Sequence, residues 1–332
     1  MKIFLKHTKS PGDILMLTAA IRDLHLAYPD KYITNVQTSA MDIWKHNPYI
    51  TNFKESEADL VIDTQYKLIN KSNNNAHHFI HAFHQDLENH LNIRIPVTKG
   101  HGDIHLSGDE KRWMSQIKEM GINDNFWIIS AGGKFDFTSK YWNPEKWQEV
   151  VDHFKGKITF VQTGLNNHFH PPLQNVIDLR GKTNLRQYIR LFYHSIGVLS
   201  TITCAMHFAA AVPSKFPLRN RPCVVVATGM EPPTWEKYST HKYITRAGTM
   251  PCCINGGCWR KYCAVSENAE PMESKHCLHK VSYPIPNGYE DKFKEFSIPK
   301  CMDDIKSSEV IAAIEEYYNN NLLEYNNTSI IN

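Results

Sequence analysis

Two charged residues in different halves of the chain have the type and position for group-transfer chemistry. Asp13 follows Gly12 in the first turn of a predicted helix, where a carboxylate could be a general base for a hydroxyl or could only interact with the helix dipole. Lys140 lies between a predicted strand and a predicted helix, where its ammonium group could neutralise a diphosphate without a metal. Composition alone favours the helix-dipole interpretation of Asp13.

Glycine and hydroxyl side chains follow several predicted strands, which is where parallel sheets hold phosphates and sugars. Gly132 and Gly133 would let a ligand approach the backbone closely, although paired glycines are also common in structural turns. The same two interpretations apply to Thr163 and Gly164 after the next strand. Thr228 and Gly229 precede Glu231, which could hold a ribose or a base or could cap the following turn.

The segment from Val176 to Val212 predicts two consecutive βα units with short turns. Its second turn carries hydroxyl side chains, and His207 lies near the start of the helix that follows. That helix contains Ala209, Ala210 and Ala211, small residues that would let it lie close to a sheet. We therefore expect a ligand-binding turn ahead of this helix.

Six of the eight cysteines fall in the last quarter of the chain. They are Cys252, Cys253, Cys258, Cys263, Cys277 and Cys301. Such a density could form a tetrahedral zinc or iron site that holds an irregular loop, but the spacing is not a clean CxxC pair, and disulfides or free thiols are alternatives. Cys204 and Cys223 have apolar surroundings typical of buried, inert thiols.

Five histidines lie in one predicted helix over residues 73–92. They are His77, His78, His81, His84 and His90. Those three or four positions apart share a helix face, which could indicate a metal site. Because no carboxylate or cysteine stands at matching positions, a solvated polar face is the favoured interpretation.

Composition indicates a globular protein of two ordinary domains. The chain has 332 residues, of which 42% are hydrophobic and 21% charged, and its formal net charge is +3. This small charge gives no independent indication of nucleic acid or of an anionic membrane as partner. The N-terminus is too polar for a secretory signal, and no window approaches the roughly 18 apolar residues of a membrane span. We expect a soluble cytoplasmic protein.

Alternating strands and helices predict a parallel α/β fold in two domains. A break rich in Pro and Gly separates a first domain, 1–105, from a second, 106–302, which includes a Cys-rich insertion at 251–301. Ser107 and Glu110 predict a capping box directly after this break. A helix from 303 to about 323 and a polar, frayed tail beyond Asn326 complete the chain. We expect the functional site in the cleft between the domains.

The predicted strands can be placed from runs of apolar residues. In the first domain they cover 2–6, 32–38 and 59–63, and the last has the apolar run of a strand covered on both faces. In the second domain they cover 126–131, 157–162, 176–178, 197–200 and 223–227.

Several of these motifs, in this order, resemble the heptosyltransferases of glycosyltransferase family nine. The similar segments are Gly12-Asp13-Ile14-Leu15, Lys140-Tyr141-Trp142, Leu179-Arg180-Gly181-Lys182-Thr183 with Leu185, Met206-His207-Phe208-Ala209-Ala210-Ala211, and Cys301-Met302 followed by Ile305, Val310 and Ile314. The resemblance runs through most of the chain, and the order and spacing of the motifs make it more specific than any one of them.

The resemblance implies a GT-B fold, in which two Rossmann-like domains face a cleft. The first would bind mainly the acceptor and the second the nucleotide sugar, with ADP-heptose as the suspected donor. It also implies an inverting transfer without a catalytic metal, with Asp13 as the base and Lys140 stabilising the leaving diphosphate. Thr203, Met206 and His207 would lie at the donor phosphates. A relative that modifies autotransporter proteins holds a Cys-bound iron in a region comparable to the Cys-rich insertion.

One departure from the family leaves alternatives open. The family usually has Asp-Thr-Gly-Pro before Met-His, whereas this chain has Ile202-Thr203-Cys204-Ala205. The leading hypothesis is transfer of a sugar, by family expectation a heptose, to a hydroxyl of a surface glycan such as lipopolysaccharide core. The alternatives are a degenerate GT-B module that binds a nucleotide sugar or a partner without turnover, and a transferase that uses another sugar on protein or modified nucleic acid. A third hypothesis makes the Cys-rich insertion an interaction module.

Overall fold

A computed structural model describes residues 1–218, 220–266 and 272–326, and helices and strands alternate through most of them. The predicted tail beyond Asn326 and part of the predicted Cys-rich insertion lie outside the described residues.

The strands are β1 (Lys2–His7), β2 (Ile33–Thr38), β3 (Leu60–Asp63), β4 (Phe126–Ser130), β5 (Thr159–Gln162), β6 (Ile177–Asp178), β7 (Gly197–Thr201), β8 (Cys223–Ala227), β9 (Lys242–Thr245), β10 (Val265–Ser266), β11 (Lys280–Tyr283) and β12 (Phe293–Pro299). The α-helices are α1 (Pro11–Ala27), α2 (Ile80–Leu91), α3 (Gly108–Arg112), α4 (Gln116–Glu119), α5 (Pro144–His153), α6 (Leu185–His194), α7 (Cys204–Ala211), α8 (Pro233–Glu236), α9 (Lys300–Asp303) and α10 (Ser307–Asn319). Short 3₁₀ turns cover Met41–Trp44, Glu55–Glu57, Lys67–Lys71, Thr138–Lys140, Pro251–Cys253 and Glu273–Lys275.

The first sheet is parallel and has the order β2-β1-β3, so β1 is its central strand. The prediction that β3 is covered on both faces is wrong, because β3 is an edge strand and Val61 is 41% exposed. The carboxyl ends of β1 and β3 lie at the same edge of the sheet, and α1 begins three residues beyond β1 at Ser10-Pro11. This geometry brings the start of α1 next to the residues that follow β3.

The second sheet is parallel in the order β6-β5-β4-β7-β8-β9. The order reverses between β4 and β7, and in open α/β sheets ligands bind outside the carboxyl ends of the strands at such a switch point. The sequence predicted five of these strands but missed β9. It also missed a small antiparallel sheet, β10-β12-β11, that the Cys-rich region and the following segment form.

One apolar core joins the first sheet to one face of the second, because α1 packs against α7. A separate core fills the other face, where α10 packs and the Trp127 indole donates to the Tyr318 hydroxyl at 2.9 Å. The predicted helix over 303–323 is two helices, α9 and α10. The helical structure is interrupted between them, and in this interruption the Ile305 carbonyl accepts a hydrogen bond from the Trp142 indole at 3.2 Å.

The domain boundaries at 105 and 302 stay predictions, although the capping box at Ser107 and Glu110 that opens α3 is confirmed by both reciprocal hydrogen bonds.

A buried ion network fixes α1 against α2 and the segment after it. Asp23 is fully buried and accepts from Arg22 Nε at 2.8 Å, His84 Nε2 at 2.8 Å and the Thr98 amide at 3.2 Å. Burial would raise the pKa of Asp23, but the hydrogen bonds from His84, Arg22 and Thr98 lower it. The preference for a solvated histidine face is therefore wrong for His84, which is 3% exposed.

We expect Asp23→Ala to lower the free energy of unfolding by about 3–5 kcal/mol, because it removes the buried carboxylate shared by Arg22, His84 and Thr98 and leaves Arg22 with Asp103 as its remaining described carboxylate partner. Since the folded-state pKa of Asp23 is lowered, its contribution should be present at neutral pH and be lost as the pH falls below about 4. Urea unfolding at pH 7 and at low pH measures both. Asp42→Ala, which removes a partner of Lys45 at the surface, is the matched control and should cost less than about 1 kcal/mol. Equal losses for the two variants would contradict the assigned role of the network.

Candidate functional site

Asp13 lies at the carboxyl edge of the first sheet, in the first turn of α1. Pro11 occupies the first position of this helix, where its fixed φ suits the backbone and its missing N–H costs nothing. The Tyr66 hydroxyl donates a hydrogen bond to Asp13, and His7 at the end of β1 is close enough to act on its charge. Burial raises the pKa of Asp13, and these two neighbours oppose the rise. The carboxyl group is therefore partly withdrawn from water and oriented, as a base must be.

Lys140 and Glu231 form an ion pair at the carboxyl edge of the second sheet. Lys140 ends the 3₁₀ turn after β4, Glu231 follows β8, and Lys140 Nζ lies 2.9 Å from Glu231 Oε1. Burial opposes the charge on Lys140, but the carboxylates of Glu231 and Glu236 outweigh it and raise its pKa. Burial raises the pKa of Glu231 to about 7 even with Lys140 beside it.

His207 lies close to both Asp13 and the Lys140–Glu231 ion pair. Its Nε2 lies 3.3 Å from Glu236 Oε2, and its Nδ1 shares a 2.7 Å hydrogen bond with the Tyr238 hydroxyl. Burial alone would raise the pKa of Glu236, but the hydrogen bond from His207 lowers it. A Cβ atom on Gly12 would lie 2.9 Å from His207 Cδ2, so a glycine is needed where α1 meets α7.

The structure thus brings together five of the residues singled out in the sequence, namely Gly12, Asp13, Lys140, His207 and Glu231. Charge interactions connect Asp13 with both His207 and Lys140. A carboxylate, an ammonium group and an imidazole converge where the two sheets meet, which is an arrangement suited to transfer of a group that leaves with negative charge.

Sequence reasoning missed Glu236 and Tyr66. Glu236 ends α8, which follows the Glu231 turn, so a second carboxylate five residues after Glu231 was the available signal. Tyr66 comes three residues after β3, and only the pairing of β3 with the central β1 brings it beside Asp13.

Other residues of the protein fill the space beside the glycines that follow β4 and β5. Gly133 pairs with Phe169 through two backbone hydrogen bonds of 2.9 Å, and a Cβ atom on Gly132 would collide with the Phe169 carbonyl. A Cβ atom on Gly164 would collide with the His170 ring, and Thr163 is 1% exposed. The close backbone approach at these positions is to the segment over residues 165–170. Their contact with a nucleotide stays a prediction.

The remaining residues that were predicted to contact the sugar donor differ in their burial and packing. Thr203 caps α7 and lies beside Gly133, whereas Met206 is fully buried in the core. Thr228 is 2% exposed, and Gly229 packs against Cys253, whose Sγ would lie 3.1 Å from a Cβ atom there. Thr228 and Gly229 therefore support the turn that carries Glu231.

The Cys-rich segment, residues 251–264, holds the Lys140 turn and the Glu231 turn in place. The Ser139 amide donates to the Lys261 carbonyl at 2.9 Å, and Thr138 Oγ1 accepts from the Cys263 amide at 2.8 Å and donates to the Ala264 carbonyl at 2.7 Å. On the Glu231 side, the Trp259 amide donates to the Met230 carbonyl at 2.8 Å. This segment thus adds backbone hydrogen bonds to the direct contact that the two turns make through the Lys140–Glu231 ion pair.

The same segment also contacts the first half of the chain. The Asn73 side chain accepts from the Gly257 amide at 2.9 Å and from the Trp259 indole at 2.8 Å, and it donates to the Gly257 carbonyl at 2.9 Å. Next to these contacts the Phe79 ring stacks on Trp235 with centroids 4.9 Å apart.

All eight cysteines are free thiols. The thiols of Cys263 and Cys277 lie within hydrogen-bond distance of each other, and Cys301 Sγ accepts from the Gly229 amide at 3.4 Å. Across residues 1–218, 220–266 and 272–326, no three His, Cys, Asp or Glu side chains are grouped closely enough to hold one metal ion. Cys223 is buried as expected, while Cys204 is half-buried and burial raises its pKa to about 11.

Structural comparison finds similar proteins among solved glycosyltransferases. A glycosyl transferase family 9 protein from Veillonella parvula DSM 2008 aligns with a TM-score of 0.56 and 14% identity over 73% of this chain and 84% of that one. The E. coli ADP-heptose lps heptosyltransferase II aligns with a TM-score of 0.59 and 12% identity over 97% of this chain and 100% of that one. The iron-containing dodecameric glycosyltransferase TibC from enterotoxigenic E. coli H10407 aligns with a TM-score of 0.63 and 15% identity over 96% of this chain and 78% of that one.

The fold is that of the family-nine glycosyltransferases. This confirms the predicted GT-B architecture and, at the level of fold, the resemblance seen in the motifs. The sequence matches no protein-family model and no curated protein sequence. Within the described part of this family-nine fold, no helix is long and apolar enough to cross a membrane.

We expect Thr138→Val to destabilise the protein by about 1–3 kcal/mol, because it leaves the buried Cys263 amide and Ala264 carbonyl without their partner. Thr138→Ser keeps the hydroxyl and is the matched control, so it should lose less. Denaturant unfolding measures both variants. If valine and serine behaved alike, the hydroxyl would not be what joins the Cys-rich segment to the Lys140 turn.

Proposed function

We propose that this protein is an inverting glycosyltransferase that moves a sugar from a nucleoside diphosphate to a hydroxyl acceptor. The observation that carries the proposal is the meeting of Asp13 with Lys140 and His207 at the junction of the two sheets. Asp13 takes the proton of the acceptor hydroxyl. The oxygen of this hydroxyl attacks the anomeric carbon from the side opposite the diphosphate. The carbon–oxygen bond to the diphosphate breaks, and the leaving group departs with the electron pair toward Lys140.

ADP-heptose is the donor that we propose, and a surface glycan is the proposed acceptor. The support is indirect: one solved relative is described as an ADP-heptose heptosyltransferase, and TibC has been solved in complex with ADP-D-β-D-heptose. A reducing compartment such as the cytoplasm fits the free thiols. Thr203, at the start of α7 and beside Gly133, is the proposed phosphate contact together with His207.

A binding module without turnover is the second candidate, and one observation favours it. Ile202, at the position where the family has an acid, is 3% exposed and packs into the apolar core. No carboxylate can reach a donor from this position. Release of ADP from ADP-heptose by the pure protein would exclude this candidate, and complete absence of turnover with intact nucleotide binding would support it.

The first experiment is a thermal-shift series with ADP, GDP, UDP, CMP and ADP-heptose. A ligand that binds only the folded state raises the unfolding midpoint by mass action. We expect a shift with ADP and ADP-heptose. A shift with another nucleotide alone would keep the transferase and discard the heptose donor.

Asp13→Asn should reduce the release of ADP from ADP-heptose about 10²–10⁴-fold, since the general base is removed while the side-chain shape is kept. Because burial raises the pKa of Asp13, wild-type activity should rise with pH as this group loses its proton, and the variant should lack that step. Asp63→Asn removes an exposed carboxylate from the end of β3, at the same edge of the sheet, and is the control. Full activity in the Asp13 variant would contradict the assignment of the base.

A structural zinc or iron ion at the cysteines is a separate proposal. Cys263 and Cys277 offer two neighbouring thiols, and the charges of Cys252 and Cys277 act on Cys258. As placed, these thiols do not form a closed tetrahedral set, so Cys252 and Cys258 would have to move toward the pair. We derive no catalytic step from the metal.

Elemental analysis of zinc and iron in the purified protein should give about one ion per chain. Cys277→Ser should abolish the bound metal, while Cys223→Ser, which changes a buried thiol in β8, should retain it. Protein with normal stability and no metal would refute this proposal without affecting the transferase.

A further inference from the structure

Two buried carboxyl groups and one half-buried carboxyl group interact with the ammonium group of Lys140. They belong to Glu231, Glu236 and Asp13, and all three act on the charge of Lys140. The Lys140 and Glu231 side chains are only 15% and 8% exposed. The other titratable groups that face this cluster are His7, Tyr66, His78, His207, Tyr238 and Tyr243. A diphosphate that reaches Lys140 therefore enters a site already rich in negative charge.

Like charges repel strongly where water is excluded, so the entry of a diphosphate requires that a carboxylate lose its charge. The Tyr66 hydroxyl donates a hydrogen bond to Asp13. Glu236 Oε2, like Glu231 Oε2, lacks a hydrogen bond of good geometry among the described residues, but His207 Nε2 lies against it at 3.3 Å. Glu231 has Lys140 on Oε1, whereas its buried Oε2 has no hydrogen-bond partner among the residues that the structure describes. Glu231 is consequently the carboxylate that is stabilised least once Lys140 is drawn to a ligand.

We propose that Glu231 is an exchangeable counter-ion of Lys140, which a nucleoside diphosphate displaces while Glu231 takes up one proton from solvent. In this exchange the Lys140–Glu231 ion pair breaks, an ion pair between Lys140 and a phosphate oxygen forms, and the protonated carboxyl group remains in place. The inference rests on the proposed diphosphate donor. It gives Glu231 a role different from holding a ribose or capping a turn.

The exchange makes nucleotide affinity depend on pH in a defined direction. Burial raises the pKa of Glu231, so as the pH falls more of this group is protonated and Lys140 becomes available. As the pH rises through the pKa of Glu231, the carboxylate competes for Lys140, and affinity should fall by up to about tenfold per pH unit. Loss of the carboxylate should remove this competition.

The test is calorimetric titration of wild type and Glu231→Gln with ADP and with inorganic pyrophosphate at pH 6.5 and pH 8.5. We expect wild type to bind both ligands about tenfold or more weakly at pH 8.5 than the glutamine variant does, with the two proteins nearly equal at pH 6.5. Protonation of the ligands is common to both proteins and cancels in the comparison. Glu55→Gln, which changes an exposed partner of Lys6, is the control and should follow wild type.

Wild type alone provides a second measurement that does not depend on a variant. Titrations at pH 8 in two buffers of different ionisation enthalpy report proton uptake on binding, and we expect uptake beyond that of the ligand itself. Weaker binding by Glu231→Gln at both pH values, or no proton uptake by wild type, would overturn the exchange while leaving diphosphate binding intact. If pyrophosphate bound with the expected pH profile but ADP did not, the result would support the exchange and contradict ADP-heptose as the donor. Failure of both ligands to bind at either pH would refute the exchange and the diphosphate donor together.

Discussion

The contact between α1 and α7 is the constraint on which the rest of the site depends. Gly12 lets the two helices approach until the His207 ring touches the backbone of α1. Through this contact one apolar core runs from the first sheet to the second, and Asp13 comes to face groups from the opposite half of the chain. Lys134 adds a polar link, because its Nζ donates to Ser10 Oγ at 2.6 Å. A residue larger than glycine would meet the His207 ring, so either this ring or α1 would have to shift.

Burial of the charged groups gives the site its electrical character. The Cys-rich segment binds to the turns that carry Lys140 and Glu231, and Asn73 binds the same segment from the first half of the chain. These contacts cover the ion pair and reduce its access to water. In such surroundings each charge is felt strongly by its neighbours, so Asp13, Lys140, Glu231 and Glu236 behave as one titrating group of residues.

Much of this arrangement was readable from the sequence, because parallel sheets place the carboxyl ends of their strands at one edge. The predicted strands of both halves were enough to predict a parallel α/β fold in two domains, and the residues after these strands singled out Asp13, Lys140, His207 and Glu231. The GT-B architecture itself was an implication of the family resemblance. The missing parts depend on contacts between distant segments. Tyr66 lies beside Asp13 because β3 pairs with β1, and the carbonyl of Ile305, in the interruption before α10, accepts a hydrogen bond from the distant Trp142 indole. The packing of Phe169 and His170 against the glycines likewise has no local signature.

Ile202 follows β7, next to the strand end that carries the two buried glutamates of the site. Ile202 contributes apolar packing to the shared core, whereas Glu231 and Glu236 bring two carboxyl groups to the end of the neighbouring strand β8. Because β7 and β8 are adjacent and parallel, groups that follow either strand reach the same edge of the sheet. Although Ile202 brings no carboxylate to the turn after β7, the site therefore has negative charge close to His207 and Lys140. That charge lies beside Lys140, so under the proposed exchange a diphosphate would have to compete with Glu231 for this lysine.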